Sequence, residues 1–117
     1  MIATLKKRAD FVRIAKNGKS WVTPSFILQC DAQPSSDIST TRVGYTATKK
    51  IGSAVKRNLA KRRLRATSKE YIPHLITDSP HDYVLIARRE LLTYPYDQLC
   101  RDLKWALKRI HQNREDS

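Results

Sequence analysis

One short run limits the fold more than any other, because Tyr83-Val84-Leu85-Ile86-Ala87 is apolar at every position. A continuous apolar run of this length is typical of a strand that is covered on both faces. The chain has 117 residues, 40% of them hydrophobic, which is enough to bury a core of that kind in one domain.

Helical patterns occur in three segments. Apolar residues at spacings of three and four predict a first helix over residues 9–17. Ser53 is a predicted N-cap for a central helix that ends before Pro73. The last helix is predicted to begin near Thr93, with Pro95 in its first turn. Its apolar stripe consists of Leu99, Leu103, Leu107 and Ile110.

Two more segments have the composition of strands. Trp21–Cys30 is rich in aromatic and aliphatic residues, and Pro24 marks its start or an edge position. Arg42–Thr48 alternates, so that Val43, Tyr45 and Ala47 share one face and Gly44, Thr46 and Thr48 share the other. We expect these two strands to form a hairpin with a long loop.

The remaining general features concern the ends of the chain and the compartment. We expect one domain over residues 1–117, with a basic arm at 1–8 and a tail at 111–117 that both fray. Cys30 and Cys100 are expected to be small buried hydrophobes in a reducing compartment. The first residues lack the pattern of a secretory signal, and no window approaches the ~18 apolar residues of a membrane span. These features predict a cytoplasmic protein that does not enter the membrane.

Charge is segregated in the middle of the chain. Between Asp37 and Glu70 there is no carboxylate but there are ten Lys or Arg residues, and the formal net charge of the whole chain is +12. Solubility alone would favour interspersed charges, since like charges repel each other. A block of one sign therefore indicates a polyanionic partner.

A helical wheel divides this block into two sides. At 100° per residue, one arc of about 140° contains Arg57, Asn58, Lys61, Arg62, Arg65 and Lys69. The opposite, apolar side contains Val55, Leu59, Ala60, Leu64, Ala66 and Tyr71. Lys56 and Arg63 interrupt that side and are expected to extend their stems to its edge. The central helix is thus predicted to pack on a sheet and to present basic residues outward.

No motif for protein-based catalysis or metal binding is present in the sequence. HExxH, P-loop and GxSxG patterns are missing, and the histidines His74, His81 and His111 are scattered, as expected for surface residues. An enzyme with its own active site is therefore disfavoured, and the strands argue against a helix-turn-helix DNA-binding protein. Composition alone leaves open a ribosomal or other structural RNA-binding protein.

The run from Arg42 to Arg65 resembles the signature of the bacterial ribonuclease P protein component. That family shows the pattern R-[IV]-G-x-[ST]-x-[ST]-K-K-x-G-x-A-V-x-R-N-x-x-K-R-x-x-R, which this run satisfies over 24 residues. Asp10-Phe11, Ile14 and Gly18 resemble the first helix of the family, and Phe26 resembles its first strand. The resemblance covers essentially the whole chain.

The resemblance implies an α+β fold of the α-β sandwich type. It implies a mixed sheet of about four strands, with the basic helix in a βαβ crossover and further helices near both termini. It also implies that this crossover is left-handed, whereas general rules of topology would predict a right-handed one.

For function, the resemblance implies the protein subunit of ribonuclease P, which needs no protein partner. It would bind the catalytic RNA and the 5′ leader of precursor tRNA, and assist an RNA-catalysed hydrolysis whose Mg²⁺ is held mainly by the RNA. The implied contacts to the catalytic RNA are Lys49, Lys50, Arg57, Asn58, Lys61, Arg62 and Arg65. The implied leader contacts are Phe11, Thr46 and Thr48. No residue of the chain is assigned to catalysis or to a metal.

Three positions depart from the family pattern. Ala15 and Gln29 stand where many members carry aromatic residues, which predicts a less aromatic leader site. Leu59 stands where the motif often has Arg, which removes one backbone contact. Lys56 and Arg63 are the candidates to replace that contact.

Overall fold

The structure, a computed structural model, describes residues 2–35, 38, 40–74 and 80–112. Five strands form one mixed sheet in the order β1-β4-β5-β3-β2, one more than the four expected. They are β1 (Ala3–Thr4), β2 (Lys19–Val22), β3 (Phe26–Ala32), β4 (Arg42–Thr46) and β5 (His81–Ala87). The helices are α1 (Arg8–Asn17), α2 (Ala54–Tyr71) and α3 (Tyr96–Gln112), with 3₁₀ turns at Lys49–Ile51, Ile72–His74 and Arg89–Leu92.

β5 lies in the middle of the sheet, and both of its faces are covered, as its apolar sequence predicts. It pairs in parallel with β4 and antiparallel with β3. Tyr83, Leu85 and Ala87 belong to the core formed with α2 and α3. Val84 and Ile86 point to the other face and pack with Ile14 of α1. Because α2 joins the parallel neighbours β4 and β5, the expected βαβ unit is confirmed, while its left hand stays an expectation of the resemblance.

The segment Trp21–Cys30 folds as two strands rather than the one predicted. β2 and β3 form an antiparallel hairpin in which Trp21 pairs with Leu28. Thr23 closes the turn, since its hydroxyl donates to the carbonyl oxygen of Phe26 at 2.8 Å. Pro24 lies in this turn, where the sheet does not require a hydrogen bond from a backbone N–H.

The predicted hairpin between this segment and Arg42–Thr48 is wrong. β4 ends at Thr46 and lies between β1 and β5, whereas β3 lies between β5 and β2. The two-sided apolar strand β5 takes the place between them, because that is where both of its faces can be covered. The predicted alternation is confirmed, since Val43 and Tyr45 contact the α2–α3 core and Gly44 faces α1.

A buried ion cluster fixes α1 to the sheet. Asp82 is 0% exposed, and its carboxylate accepts hydrogen bonds from Arg13 of α1 at 2.5 Å and from Arg42 of β4 at 2.6 and 2.9 Å. Burial alone would raise the pKa of Asp82, but hydrogen bonds from Arg42 and Arg13 hold that pKa below its usual value. Charge and apolar packing therefore hold α1 in place together.

The core-facing side of α2 is rotated relative to the wheel prediction. The buried residues are Ala60, Leu64, Thr67 and Ser68. Val55 is 78% exposed and Leu59 is 37% exposed, so the prediction that they face the core is wrong. Thr67 and Ser68 tolerate burial because their hydroxyls donate to backbone carbonyl oxygens one turn earlier, at 2.9 and 3.0 Å. A wheel that counts only apolar residues misses such positions.

Of the two predicted helix starts, one is confirmed. The Ser53 side chain accepts a hydrogen bond from the Lys56 N–H at 3.3 Å and caps α2. Thr93 instead ends the preceding 3₁₀ turn, where its N–H donates to the Glu90 carbonyl oxygen at 3.3 Å, and it lies three residues before α3 begins. α3 begins at Tyr96, after Pro95, and its predicted apolar stripe is buried throughout.

Both ends of the described chain belong to the fold. β1 pairs in parallel with β4, and Leu5 is buried, so the expectation of a frayed arm at 1–8 is wrong from Ala3 onward. α3 continues through Gln112, and residues 113–117 of the predicted frayed tail lie outside the described residues. Cys30 and Cys100 are buried free thiols, as expected. None of the helices in the described part of the chain has the length and apolar character that crossing a membrane requires.

Candidate nucleic-acid interface

The outer side of α2 forms a basic ridge, which consists of Arg57, Asn58, Lys61, Arg62 and Arg65. Asn58 and Arg62 are exposed, whereas Arg57, Lys61 and Arg65 are half-buried beside the side of the helix that packs on the core. A surface groove of about 550 Å³ is lined by Val55, Asn58, Lys61, Arg62 and Arg65. Four of the five ridge residues therefore share one groove, and Arg57 lies outside it.

The ridge carries positive charge that its own fold does not neutralise. Among the described residues, every salt bridge involves Arg13 or Arg42, which lie in the Asp82 cluster and not on α2. Arg57, Lys61 and Arg65 are successive i, i+4 neighbours, which repel one another by a few tenths of a kcal/mol per pair. An anionic ligand bound along the helix would relieve this repulsion.

Arg65 connects the basic ridge to the sheet. Its guanidinium lies 5.1 Å from the centroid of the Tyr45 ring on β4. An arginine stacked on an aromatic face gains about 0.5 to 1 kcal/mol at a partly exposed site and loses side-chain freedom. Arg65 is therefore oriented before any ligand binds.

The turn before α2 presents two further lysines. Lys49 and Lys50 are exposed, and the buried Ile51 anchors the turn that carries them. Gly52 follows with a φ of 136°, a conformation that residues with a side chain rarely adopt. Lys50 lines a groove of about 560 Å³ together with Thr48, Arg88 and Arg89. Glu90 also lines this second groove, which therefore carries three basic residues and one acidic residue.

A cleft beside α1 contains the predicted aromatic residue. This Phe11 cleft, of about 340 Å³, is lined by Lys6, Arg8, Phe11, Tyr45, Thr46, Ala47 and Lys61. A Cβ atom added to Gly44 would lie 2.5 Å from the Phe11 ring, so the glycine allows the ring to lie directly on β4. The structure thus brings Phe11 and Thr46 together, whereas Thr48 lines the neighbouring groove with Lys50.

Three cleft residues escaped the sequence analysis. Lys6 and Arg8 were assigned to a frayed arm, although their neighbour Leu5 is buried and holds them beside the sheet. Tyr45 is predicted only to share a face of its strand with Val43 and Ala47, yet it also lines the cleft. The basic run at residues 6–8 is the sequence signal for the charged side of this cleft.

Arg63 cannot replace the contact that Leu59 removes. Its guanidinium donates to the carbonyl oxygens of Leu91 and Tyr94 at 2.6 and 2.5 Å. These hydrogen bonds tie α2 to the segment before α3, so Arg63 has a structural role on the side away from the ridge. Lys56 is exposed and remains the candidate for compensation.

The histidines are less scattered than their sequence positions suggest. The rings of His81 and His111 lie 4.9 Å apart in an edge-to-face arrangement, and Cys30 lies beside them. His81 and His111 are therefore not scattered in the fold, although both are half-buried rather than in the core. The side chain of His74 lies outside the described part of the chain.

Comparison with known proteins agrees with this geometry. A family model for ribonuclease P matches residues 2–111. The chain belongs to the ribonuclease P protein family. It is similar to the ribonuclease P protein component of Paramagnetospirillum magneticum, with 44% identity over 108 residues that cover 91% of this chain and 80% of the relative. Membership identifies the chain as a protein subunit of an RNA-processing ribonucleoprotein.

Two solved structures of the family share the fold. The RNase P protein of Thermotoga maritima has 27% identity and a TM-score of 0.76, covering 92% of this chain and 96% of its own. A mutant of the Staphylococcus aureus RNase P protein, described as defective in mRNA degradation activity, has 32% identity and a TM-score of 0.76. The match covers 90% of this chain and 85% of the S. aureus chain. The expected α+β class is thereby confirmed.

Proposed function

We propose that this protein binds the catalytic RNA of ribonuclease P along the basic ridge and the 5′ leader of precursor tRNA in the Phe11 cleft. One observation carries the proposal: Lys61 lines both the ridge groove and the Phe11 cleft. The two surfaces are therefore continuous, and a nucleic acid strand on one can reach the other. The protein positions the leader, and the RNA hydrolyses the phosphodiester bond.

The ridge has the chemistry of a phosphate-binding surface. Arg57, Arg62 and Arg65 present planar guanidinium groups that can bind phosphate oxygens through two hydrogen bonds, and Lys61 adds a compact charge. Asn58 is exposed among them and can both donate and accept, which suits a phosphate or a 2′-hydroxyl. Lys49 and Lys50 continue this surface before the start of the helix.

The Phe11 cleft fits a single strand better than a duplex. Phe11 is half-buried on α1 and offers an aromatic surface on which an unpaired base can stack. Lys6, Arg8 and Lys61 line the same cleft and provide charge for the backbone of that strand. Thr46 adds a hydroxyl on the sheet. Ala15 is exposed and Gln29 is half-buried, so neither position supplies a second stacking surface.

Among the described residues, the carboxylates that lie together do not fit a Mg²⁺ site. Mg²⁺ prefers oxygen ligands in octahedral geometry. The described carboxylates that lie together, Asp10, Asp31 and Asp82, are each within 4.0 Å of Arg13 or Arg42 and are occupied by guanidinium groups. We therefore propose that the RNA holds the Mg²⁺ ions of the reaction, as the family resemblance implies.

Reconstitution with the cognate RNA tests the whole proposal. With Mg²⁺ and a precursor tRNA, the protein is expected to improve leader removal by the RNA at low salt, because the ridge offsets repulsion between RNA phosphates. The protein alone is expected to cleave nothing. Leader removal by the RNA-free protein, or an RNA reaction that the protein leaves unchanged, would contradict the proposal.

Two comparisons separate this function from its alternatives. A structural RNA-binding protein would bind the RNA but give equal rates with and without protein. Because the S. aureus mutant is described as defective in mRNA degradation activity, the protein alone should also be incubated with an unstructured mRNA. We expect no cleavage of this mRNA. The described site has residues that can bind RNA, but it has no group of residues that could activate a nucleophile.

Phe11→Ala is expected to weaken binding of precursor tRNA to the holoenzyme by about tenfold, because loss of one stacked base costs ~1–3 kcal/mol. Binding of mature tRNA, which has no leader, should change little. Equilibrium binding with both tRNAs measures the difference. Val12→Ala is the matched control, since Val12 follows on the same helix but is 51% exposed and lines neither groove. Equal losses for both tRNAs would mean that Phe11 serves only the core.

A further inference from the structure

A cluster of soft donor groups lies at the end of β5 away from the RNA-binding grooves. Cys30 of β3, His81 of β5 and His111 of α3 each place one ligand atom within 4.8 Å of the others. Ile86 and Ala87, at the other end of β5, line the groove beside Lys50. At about 3.3 Å per residue, the two ends of this strand are about 20 Å apart. Thr46 of the Phe11 cleft pairs with Ile86 near that far end, so the cluster is separate from the Phe11 cleft as well.

We propose that Cys30, His81 and His111 form a binding site for a zinc-type divalent cation, which ties the C-terminal end of α3 to the sheet. Thiolate and imidazole are ligands that Zn²⁺ prefers and Mg²⁺ does not. The three residues come from three different elements, so a bound ion would cross-link β3, β5 and α3. This site goes beyond the RNA-binding function and does not depend on it.

The surroundings of the cluster support a metal site. A cavity of about 280 Å³ opens beside all three residues, which leaves room for a water molecule as the fourth ligand of a tetrahedral ion. Ligand atoms around such an ion lie about 3.5 Å apart, given metal–ligand bonds of about 2.0 to 2.3 Å. The observed separations, 4.8 Å at most, need to contract by up to about 1.3 Å to reach this distance, which rotation of the half-buried imidazoles can supply.

Tyr83 provides the outer partner that metal-binding histidines usually have. Its hydroxyl lies 2.6 Å from Nε2 of His111 and is buried at the core side of β5. A ligating histidine commonly donates its second ring N–H to an oxygen, which fixes the tautomer and the ring orientation. The Tyr83 hydroxyl therefore holds the His111 ring in its place within the cluster.

Charges at the rim are balanced between the two signs. Lys19 and Asp31 both line the cavity, and the Asp31 carboxylate is bound by Arg13 at 2.8 Å. Burial, together with the Asp31 charge, raises the pKa of the Cys30 thiol to about 12. A bound divalent cation would add the positive charge that a thiolate needs at this position, and the thiol proton would leave to solvent when the metal–sulfur bond forms.

Cobalt titration of the untagged full-length protein tests this site directly. Co²⁺ occupies zinc sites and gives a thiolate-to-metal charge-transfer band when a cysteine coordinates it. We expect wild type to develop this band with one equivalent of Co²⁺, and Zn²⁺ to abolish it by displacement. Millimolar Mg²⁺ should leave the band unchanged, because neither thiolate nor imidazole suits Mg²⁺.

The two cysteines give a matched pair of variants. Cys30→Ser should lose the band completely, whereas Cys100→Ser, the same change at the other buried thiol, should keep it. His111→Gln should weaken Co²⁺ binding by at least about tenfold. No band in wild type, a band that survives Cys30→Ser, or displacement by Mg²⁺ would each overturn the proposal.

Thermal unfolding keeps the test informative where a variant folds poorly. Zn²⁺ should raise the Tm of wild type and of Cys100→Ser by several degrees, since an ion bound only to the native state stabilises it. The His81→Gln/His111→Gln double variant, which keeps both thiols, should show no rise in Tm. An equal rise in that variant would place the bound metal elsewhere and overturn the site.

Discussion

The triple variant Arg57→Ala/Lys61→Ala/Arg65→Ala is expected to bind the catalytic RNA at least about tenfold more weakly than wild type at low salt. Each lost phosphate contact should also reduce the slope of log K against log salt by about 0.7 to 0.9, so the three together remove about two to three units. Titration of labelled RNA over a series of KCl concentrations measures both effects.

The same change should leave the fold almost as stable as before. Removing three neighbouring cations relieves i, i+4 repulsion worth a few tenths of a kcal/mol per pair. It also removes the contact between Arg65 and the Tyr45 ring, worth about 0.5 to 1 kcal/mol. These opposing effects nearly cancel, so a large fall in Tm is not expected. Glutamine replacements at the three positions, which retain part of each stem, provide a second variant.

A charge-matched control distinguishes a binding surface from general attraction. Lys16→Ala/Arg101→Ala/Lys108→Ala also removes three positive charges, from exposed positions on α1 and α3. Its salt slope should stay close to that of wild type, since these residues lie outside the basic ridge. If both triple variants reduce the slope equally, the ridge contributes only to net charge and does not contact RNA.

Local sequence patterns predicted where the helices and strands lie better than they predicted which strands are neighbours in the sheet. The apolar run of β5 and the cap at Ser53 depend on a few adjacent residues, and both are confirmed. Strand order depends on contacts between distant segments, so nothing local showed that β5 separates β3 from β4. The short turn at Thr23–Ser25 was missed because its hydrogen bonds come from one threonine inside an otherwise strand-like run.

The candidate sites show the same division. The basic ridge follows from helical spacing within one element, and the structure places Asn58, Lys61, Arg62 and Arg65 around one groove as that spacing predicts. The Phe11 cleft and the cluster of Cys30, His81 and His111 each combine residues from several elements. Their members are far apart in sequence, so only the folded arrangement brings them together.

Asp82→Asn is expected to destabilise the protein by about 3 to 5 kcal/mol and to lower its Tm by about 10 °C or more. The wild-type carboxylate is fully buried and accepts hydrogen bonds from Arg13, Arg42 and Gln33. The uncharged amide keeps the shape of the side chain but leaves two guanidinium groups without the buried anion between them. Urea and thermal unfolding measure the loss.

The matched control is Asp97→Asn in the first turn of α3. Asp97 is exposed, and its charge interacts mainly with the helix dipole, so this variant should lose only about 0.3 to 1 kcal/mol. A loss of that size in Asp82→Asn would contradict the prediction. It would show that Arg13 and Arg42, which are only half-buried, can move to solvent when their partner is removed.

Loss of this buried anion should also affect the Phe11 cleft, because Arg13 lies two residues after Phe11 on the same helix. Asp10, Asp31 and Asp82 all contact the Arg13 side chain, but only Asp82 is buried and belongs to the central strand. Without it, α1 is held mainly by its apolar contacts with Leu5 and Val84. Asp82→Asn, at a temperature where it remains folded, should therefore weaken precursor tRNA binding more than mature tRNA binding. Unchanged discrimination between the two tRNAs would mean that α1 is positioned by packing alone.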